Sequence, residues 1–141
     1  MQLRVSYSEM QTLIHDRTGK SISFAFNSHH SLHVGYDVTF LMKSSVVGLD
    51  LTIDRIEGTD LYLTYSGGPA IEFMVRNALS QVQNMPGTEA IEPLPDNAIL
   101  IHLDRHPQLS QVVQNITIND IFFDEHFVTI DFTPKQTITQ V

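Results

Sequence analysis

The 141 residues, 42% hydrophobic and 17% charged, suit one globular domain, and no stretch nears the roughly 18 consecutive apolar residues of a membrane span, so a soluble protein is expected. A formal net charge of −8, with 8 Lys and Arg scattered among 16 carboxylates, opposes a phosphate backbone and excludes nucleic acid as a partner. The absence of cysteine removes disulfides, thiolate nucleophiles and cysteine-bound metal, and an opening without a signal-type apolar stretch makes the cytoplasm the expected compartment.

Ser8 and Gln11 have capping-box spacing, Met10, Leu13, Ile14 and Arg17 follow at helical intervals, and Thr18-Gly19 offers a stop, which predicts a helix over residues 8–17. After Gly19 the period changes: Ile22, Phe24 and Phe26 alternate with Ser21, Ser23 and Ala25, as on a half-buried strand. Residues 32–42 alternate Leu32, Val34, Tyr36, Val38, Phe40 and Met42 against polar or small neighbours, and Val47, Leu49, Leu51 and Ile53 do the same. Ser44-Ser45 is the expected hairpin turn between them, and residues 57–60 turn the chain again into a strand at 61–65.

Pro69 suits a first helical turn, so a helix follows over residues 69–83, with Ile71, Met74, Val75, Ala78 and Val82 on one stripe and Glu72, Arg76, Asn77 and Ser80 opposite. Residues 84–97, with Pro86, Gly87, Pro93 and Pro95, read as an extended surface loop. Strand periodicity resumes over 98–104, a short helical turn is expected over 107–114, and two strands flank a turn at Asp124-Glu125-His126 before a fraying tail from Thr133.

Few motifs suggest chemistry. His29, His30 and His33 crowd a hairpin connection; on a strand His29 and His33 would stand about 13 Å apart, too far to share a zinc ion, and no neighbouring carboxylate in the sequence completes a ligand set. His102, Asp104 and His106 read as a polar strand face meeting solvent, and Asp124-Glu125-His126 as a turn. Ser66-Gly67-Gly68-Pro69 lacks the Gly-Lys-Ser/Thr ending of a P-loop and reads as a helix entry, and no Gly-x-Ser-x-Gly signature occurs. Neither an enzyme, a metal site nor a cofactor is expected. Phe73 lies on the polar side of its helix, where the Pro-rich loop is expected to cover it or a partner to contact it.

A short helix, long alternating strands and an amphipathic helix point to an α+β fold in which a long curved antiparallel sheet wraps one helix, in a single domain. Over Tyr7 to about Phe132 the order resembles the tubular lipid-binding superfamily of bactericidal permeability-increasing protein and synaptotagmin-like mitochondrial lipid-binding domains, particularly its small bacterial members. YSEMQTLIHDR matches the opening helix, LHVGYDVTFLM through LYLTY the long strands, and AIEFMVRNALSQV the wrapped helix. The resemblance implies an acyl chain between sheet and helix, with Phe24, Phe40, Leu49, Leu51, Met74 and Val75 lining the cavity. Bacterial relatives are commonly exported or lipid-anchored, whereas this chain has no cysteine to acylate. The first expectation is a non-enzymatic domain binding a lipid or fatty acid; the second is a packed protein-interaction or homo-oligomerisation module using Phe73 or a strand edge.

Overall fold

A computed structural model describes residues 1–82, 89–106 and 109–135, with the backbone alone for Thr18, Val38, Thr39, Phe40 and Val82. The expectations for residues 83–88, for Pro107 and for the tail beyond Lys135 lie outside the described residues. The strands are β1 (Gln2–Ser6), β2 (Ile22–Ser28), β3 (Ser31–Phe40), β4 (Lys43–Glu57), β5 (Asp60–Ser66), β6 (Ile91–Leu94), β7 (Ala98–His102), β8 (Ile116–Phe123) and β9 (Phe127–Pro134). Helices α1 (Tyr7–Thr18), α2 (Pro69–Val82) and α3 (Ser110–Gln114) complete a mostly-sheet α+β structure. One sheet has six strands in the order β2-β3-β4-β5-β7-β6, the other three in the order β1-β9-β8, and all pairings are antiparallel.

The first helix starts earlier than its sequence suggests. Ser6, not Ser8, is the N-cap: its hydroxyl accepts from Glu9 N–H at 3.0 Å, the first bond of a Ser-x-x-Glu box, and donates to the Glu9 carboxylate at 3.1 Å, which puts an acidic group at the positive end of the helix. Gly19 closes α1 in the left-handed region (φ 72°) and donates to the His15 carbonyl. Residues 2–6, which carry too little alternation to read alone, become a strand by pairing with β9, from Gln2↔Asp131 to Ser6↔Phe127.

The β3–β4 turn falls at Leu41-Met42 rather than Ser44-Ser45. The pairs Leu32↔Leu51, Val34↔Leu49 and Tyr36↔Val47 align the apolar rows, and His33 meets Asp50 on the reverse face. That register extends to Phe40↔Lys43, leaving two turn residues with φ 50° and 65°, a left-handed pair disfavoured for Leu and Met. Interior pairing over ten positions outweighs the turn's own preference. The expected loop over 84–97 also yields a strand, β6, whose Pro93 is tolerated because β6 is the sheet's edge and needs no donor outward. Strand β7 ends at His102, two residues short of expectation, where Leu103–Arg105 form one 3₁₀ turn.

Among the described residues, the alternating apolar side chains of β2 to β5 share one face of the large sheet, but two different elements cover it. The three-stranded sheet and α1 cover one half: Tyr7, Leu32, Ile53, Ile121 and Phe123 form a buried cluster, joined by Met10, Phe24, Leu63 and Val128. The stripe of α2 faces the other half, Ile22, Val34, Tyr36, Val47 and Leu49. Strand β4, 15 residues long, runs under both.

Candidate functional site

Each half of the face encloses a hollow. Between α2 and the sheet lies a cleft of about 310 Å³, open to solvent and almost wholly apolar, with Ile71, Met74, Val75 and Ala78 on the helix side. Leu49, Met74 and Val75, three of the nominated lining residues, meet here. Phe24 and Leu51 belong instead to a second hollow of about 220 Å³ between the two sheets, beside Leu32, Ile53, Ile121 and Phe123. The Phe40 side chain lies outside the described residues. The nominated set therefore divides between two hollows, and Ile22, Val34, Tyr36 and Val47 join the first through the same period-two rows that made the strands legible.

The entry to α2 fixes one wall of the cleft. Gly68 sits at φ 90°, a conformation that costs an L side chain strain, and the Glu72 carboxylate accepts from the Gly67 and Gly68 N–H groups at 3.3 and 3.0 Å. The Gly67 N–H first, then Asn97 and after it the Gly68 N–H, hold the Glu72 carboxyl below its ordinary range. Arg76 donates to the Asn97 side-chain oxygen at 2.7 Å, so the helix's polar side is tied to the β6–β7 turn. The apolar side is less restrained: Met74 is 48% exposed. Lys20 Nζ stands 5.5 Å from the centroid of the Tyr36 ring, which lines the cleft. Phe73 is 64% exposed on the opposite side of α2; residues 84–88 of the loop expected to cover it lie outside the described residues.

The reverse face of the large sheet is polar and tightly paired. His33 Nδ1 is 2.9 Å from Asp50 Oδ1, which also accepts from Asn27 at 2.7 Å; the His33 bond first, then Asn27, holds the Asp50 carboxyl below its ordinary range. His102, expected at a solvent-facing strand surface, is instead buried at 7% exposure between two carboxylates, Asp60 at its Nδ1 and Glu92 at its Nε2, both at 2.8 Å. The Glu92 bond is the largest influence and, with Asp60, raises the imidazole pKa against the opposing pull of burial. At the far turn Asp124 accepts from His126 and Phe127 N–H at 2.8 Å, as the turn reading anticipates, and these bonds depress its pKa. Burial, then the Asp124 charge, raises the pKa of Tyr7, whose hydroxyl donates to the Asp124 carbonyl.

Among the described residues, His29, His30 and Asp120 form one group with metal-ligating spacing and Asp60, His102 and Asp104 another. Asp60, Glu92 and Asp120 left no local signal in the sequence, because each meets its histidine only through strand pairing or sheet stacking. No helix is long and apolar enough to cross a membrane among the described residues. Comparison with protein-family models, curated proteins and solved structures found no match.

Proposed function

We propose that the chain is a non-enzymatic binding domain whose large sheet curves about α2 and holds an apolar small molecule, a fatty acid or lipid acyl chain, in the intervening cleft. The reading keeps the resemblance to the tubular lipid-binding superfamily as its frame. A single observation carries it: the cleft of about 310 Å³ has almost no polar lining yet stays open beside a half-exposed Met74. Apolar surface of this kind is unfavourable in water, and the cleft's volume lies at the lower end of the range for small-molecule sites. Eight methylenes entering it would contribute about 6 kcal/mol before the cost of immobilising the ligand. The Lys20 ammonium by the Tyr36 ring suits a carboxylate head at the rim.

Denaturing extraction of purified protein followed by mass spectrometry tests the reading, with an acyl-bearing species as the expected result. Displacement of a fluorescent fatty acid adds a direct measure: Val75→Glu places a charge in the cleft and should weaken binding at least about tenfold, since a desolvated carboxylate costs several kcal/mol. An absence of lipid in every preparation, with no uptake of the fluorescent probe, ends the proposal.

A second reading, a protein-interaction or self-association module, is favoured by Phe73 and by the tip of the β3–β4 hairpin, where Leu41 is 81% and Met42 99% exposed. Phe73→Ser and, separately, Leu41→Ser with Met42→Ser should lower the mass in solution if either patch joins copies. An unchanged mass and unchanged partners remove this reading.

A further inference from the structure

We propose that His29, His30 and Asp120 bind one divalent transition-metal ion of the zinc class, at a site separate from both apolar hollows. The two histidines are the turn residues joining β2 to β3, and their Nε2 atoms converge on a single carboxylate from β8. His30 Nε2 lies 3.1 Å from Asp120 Oδ1 and His29 Nε2 3.8 Å from Asp120 Oδ2, and one donor atom of each residue lies within 4.8 Å of the others. A zinc-class ion with bonds of about 2.0 to 2.2 Å holds neighbouring donors about 3.0 to 3.6 Å apart, so it would enter this group with shifts of a few tenths of an ångström to about 1 Å.

The donors are held in place by the fold. The His29 carbonyl accepts from Phe123 N–H and the His30 carbonyl from Ile53 N–H, both at 2.8 Å, which clamps the turn between β8 and β4. The His29 ring stacks on Phe122, with centroids 4.8 Å apart and planes 11° from parallel, and it meets the His30 ring edge-on at 4.6 Å. Pairing between β8 and β9 slips between Ile118 and Asp120, and Ile121 N–H donates to Asp120 Oδ1 at 2.9 Å, orienting the carboxylate as outer contacts orient a metal ligand. Beside Asp120 and His30 a hollow of about 130 Å³ leaves room for water in the remaining coordination positions. Arg55 borders it, but its guanidinium is held by Asp54 at 2.6 Å and Glu57 at 2.8 Å.

Two imidazoles and one carboxylate suit zinc, cobalt or nickel rather than the all-oxygen shells of calcium or magnesium. Asp60, His102 and Asp104 do not compete, because both ring nitrogens of His102 are already engaged by carboxylates. His33 turns its Nδ1 to Asp50 instead.

Chelator-treated protein should be titrated with Co²⁺, read by visible absorption, and with Zn²⁺, read by calorimetry and by histidine ¹⁵N shifts. The expected result is one ion per chain, with Nε2 shifts at His29 and His30. Asp120→Asn and His29→Ala should each weaken Zn²⁺ at least about tenfold, while His33→Ala and His126→Ala leave it unchanged. His29 has a side chain 62% exposed, so its substitution tests the site even if an Asp120 variant fails to fold. No stoichiometric ion, or a loss shared equally by the His126 variant, overturns the proposal. Acyl occupancy is read separately, so the failure of either proposal leaves the other standing.

Discussion

The two halves of the apolar face of the large sheet are built from the same strands and the same alternation, yet they end differently. Under the three-stranded sheet, Leu32 is 4% exposed, and Ile53, Ile121 and Phe123 are 9% exposed. Under α2, Met74 remains 48% exposed. A second sheet covers the first more fully and leaves a hollow of about 220 Å³, whereas one helix presents only a stripe and leaves a larger cleft of about 310 Å³ beside it. Period-two patterning thus marks which face is apolar; how tightly that face is covered depends on the element placed over it.

The sharpest way to break this comparison is to truncate a residue in each half. Phe123→Ala should cost about 3 to 5 kcal/mol in urea unfolding, because its neighbours on both sheets cannot collapse into the space. A cost as small as that of a surface change would mean that the halves are equally loose. On the reverse face, behind the Leu61 end of the covered half, His102→Ala should cost about 1 to 3 kcal/mol by leaving Asp60 and Glu92 facing each other. The His102 pKa is raised on folding, chiefly by Glu92. Its stabilisation is therefore fully present below the ordinary imidazole range and lost as pH rises through the higher folded value. Unfolding midpoints measured across that window should fall for the parent chain and stay flatter for the variant.

Smaller effects belong to the half under α2. Replacing Leu41-Met42 with Asn-Gly should raise stability by about 1 kcal/mol, since those residues accept positive φ readily at a two-residue turn. A loss of stability would show that the exposed Leu and Met make contacts in the folded protein. Met74→Ala should change unfolding by less than about 1 kcal/mol while weakening acyl-probe binding. A cost of several kcal/mol would mean that α2 packs as tightly as the smaller sheet does.

Much of the fold was legible because β3, β4, β5 and α2 declare themselves by local period. Three kinds of feature were not. The true cap of α1 was hidden because Ser6-Glu9 and Ser8-Gln11 offer similar boxes two residues apart, and only the burial of Tyr7 against Phe24 and the Asp124 carbonyl selects the first. The Leu41-Met42 turn contradicts local preference and follows from pairs formed well away from it. Strand β6 looks like loop because of Pro93 and becomes strand only at an edge. For the candidate cleft, the helix stripe and sheet rows were visible, but the partition of Phe24 and Leu51 into a separate hollow depends on β8 and β9 arriving over them. His29 and His30 likewise gave no hint of Asp120, some 90 residues away.

The pairing of β1 with β9 links Gln2 to Asp131 and places the late strand at the centre of the smaller sheet. During synthesis, everything the six-stranded sheet requires, from Ile22 to His102, precedes β8 and β9. Leu32, Leu51 and Ile53 then wait for their lid, and the nascent chain is at its stickiest in that interval. Closure joins β1 to the distant β9, so a slow final folding phase, reported by protection of the β1 and β9 amides, is the kinetic signature of this topology.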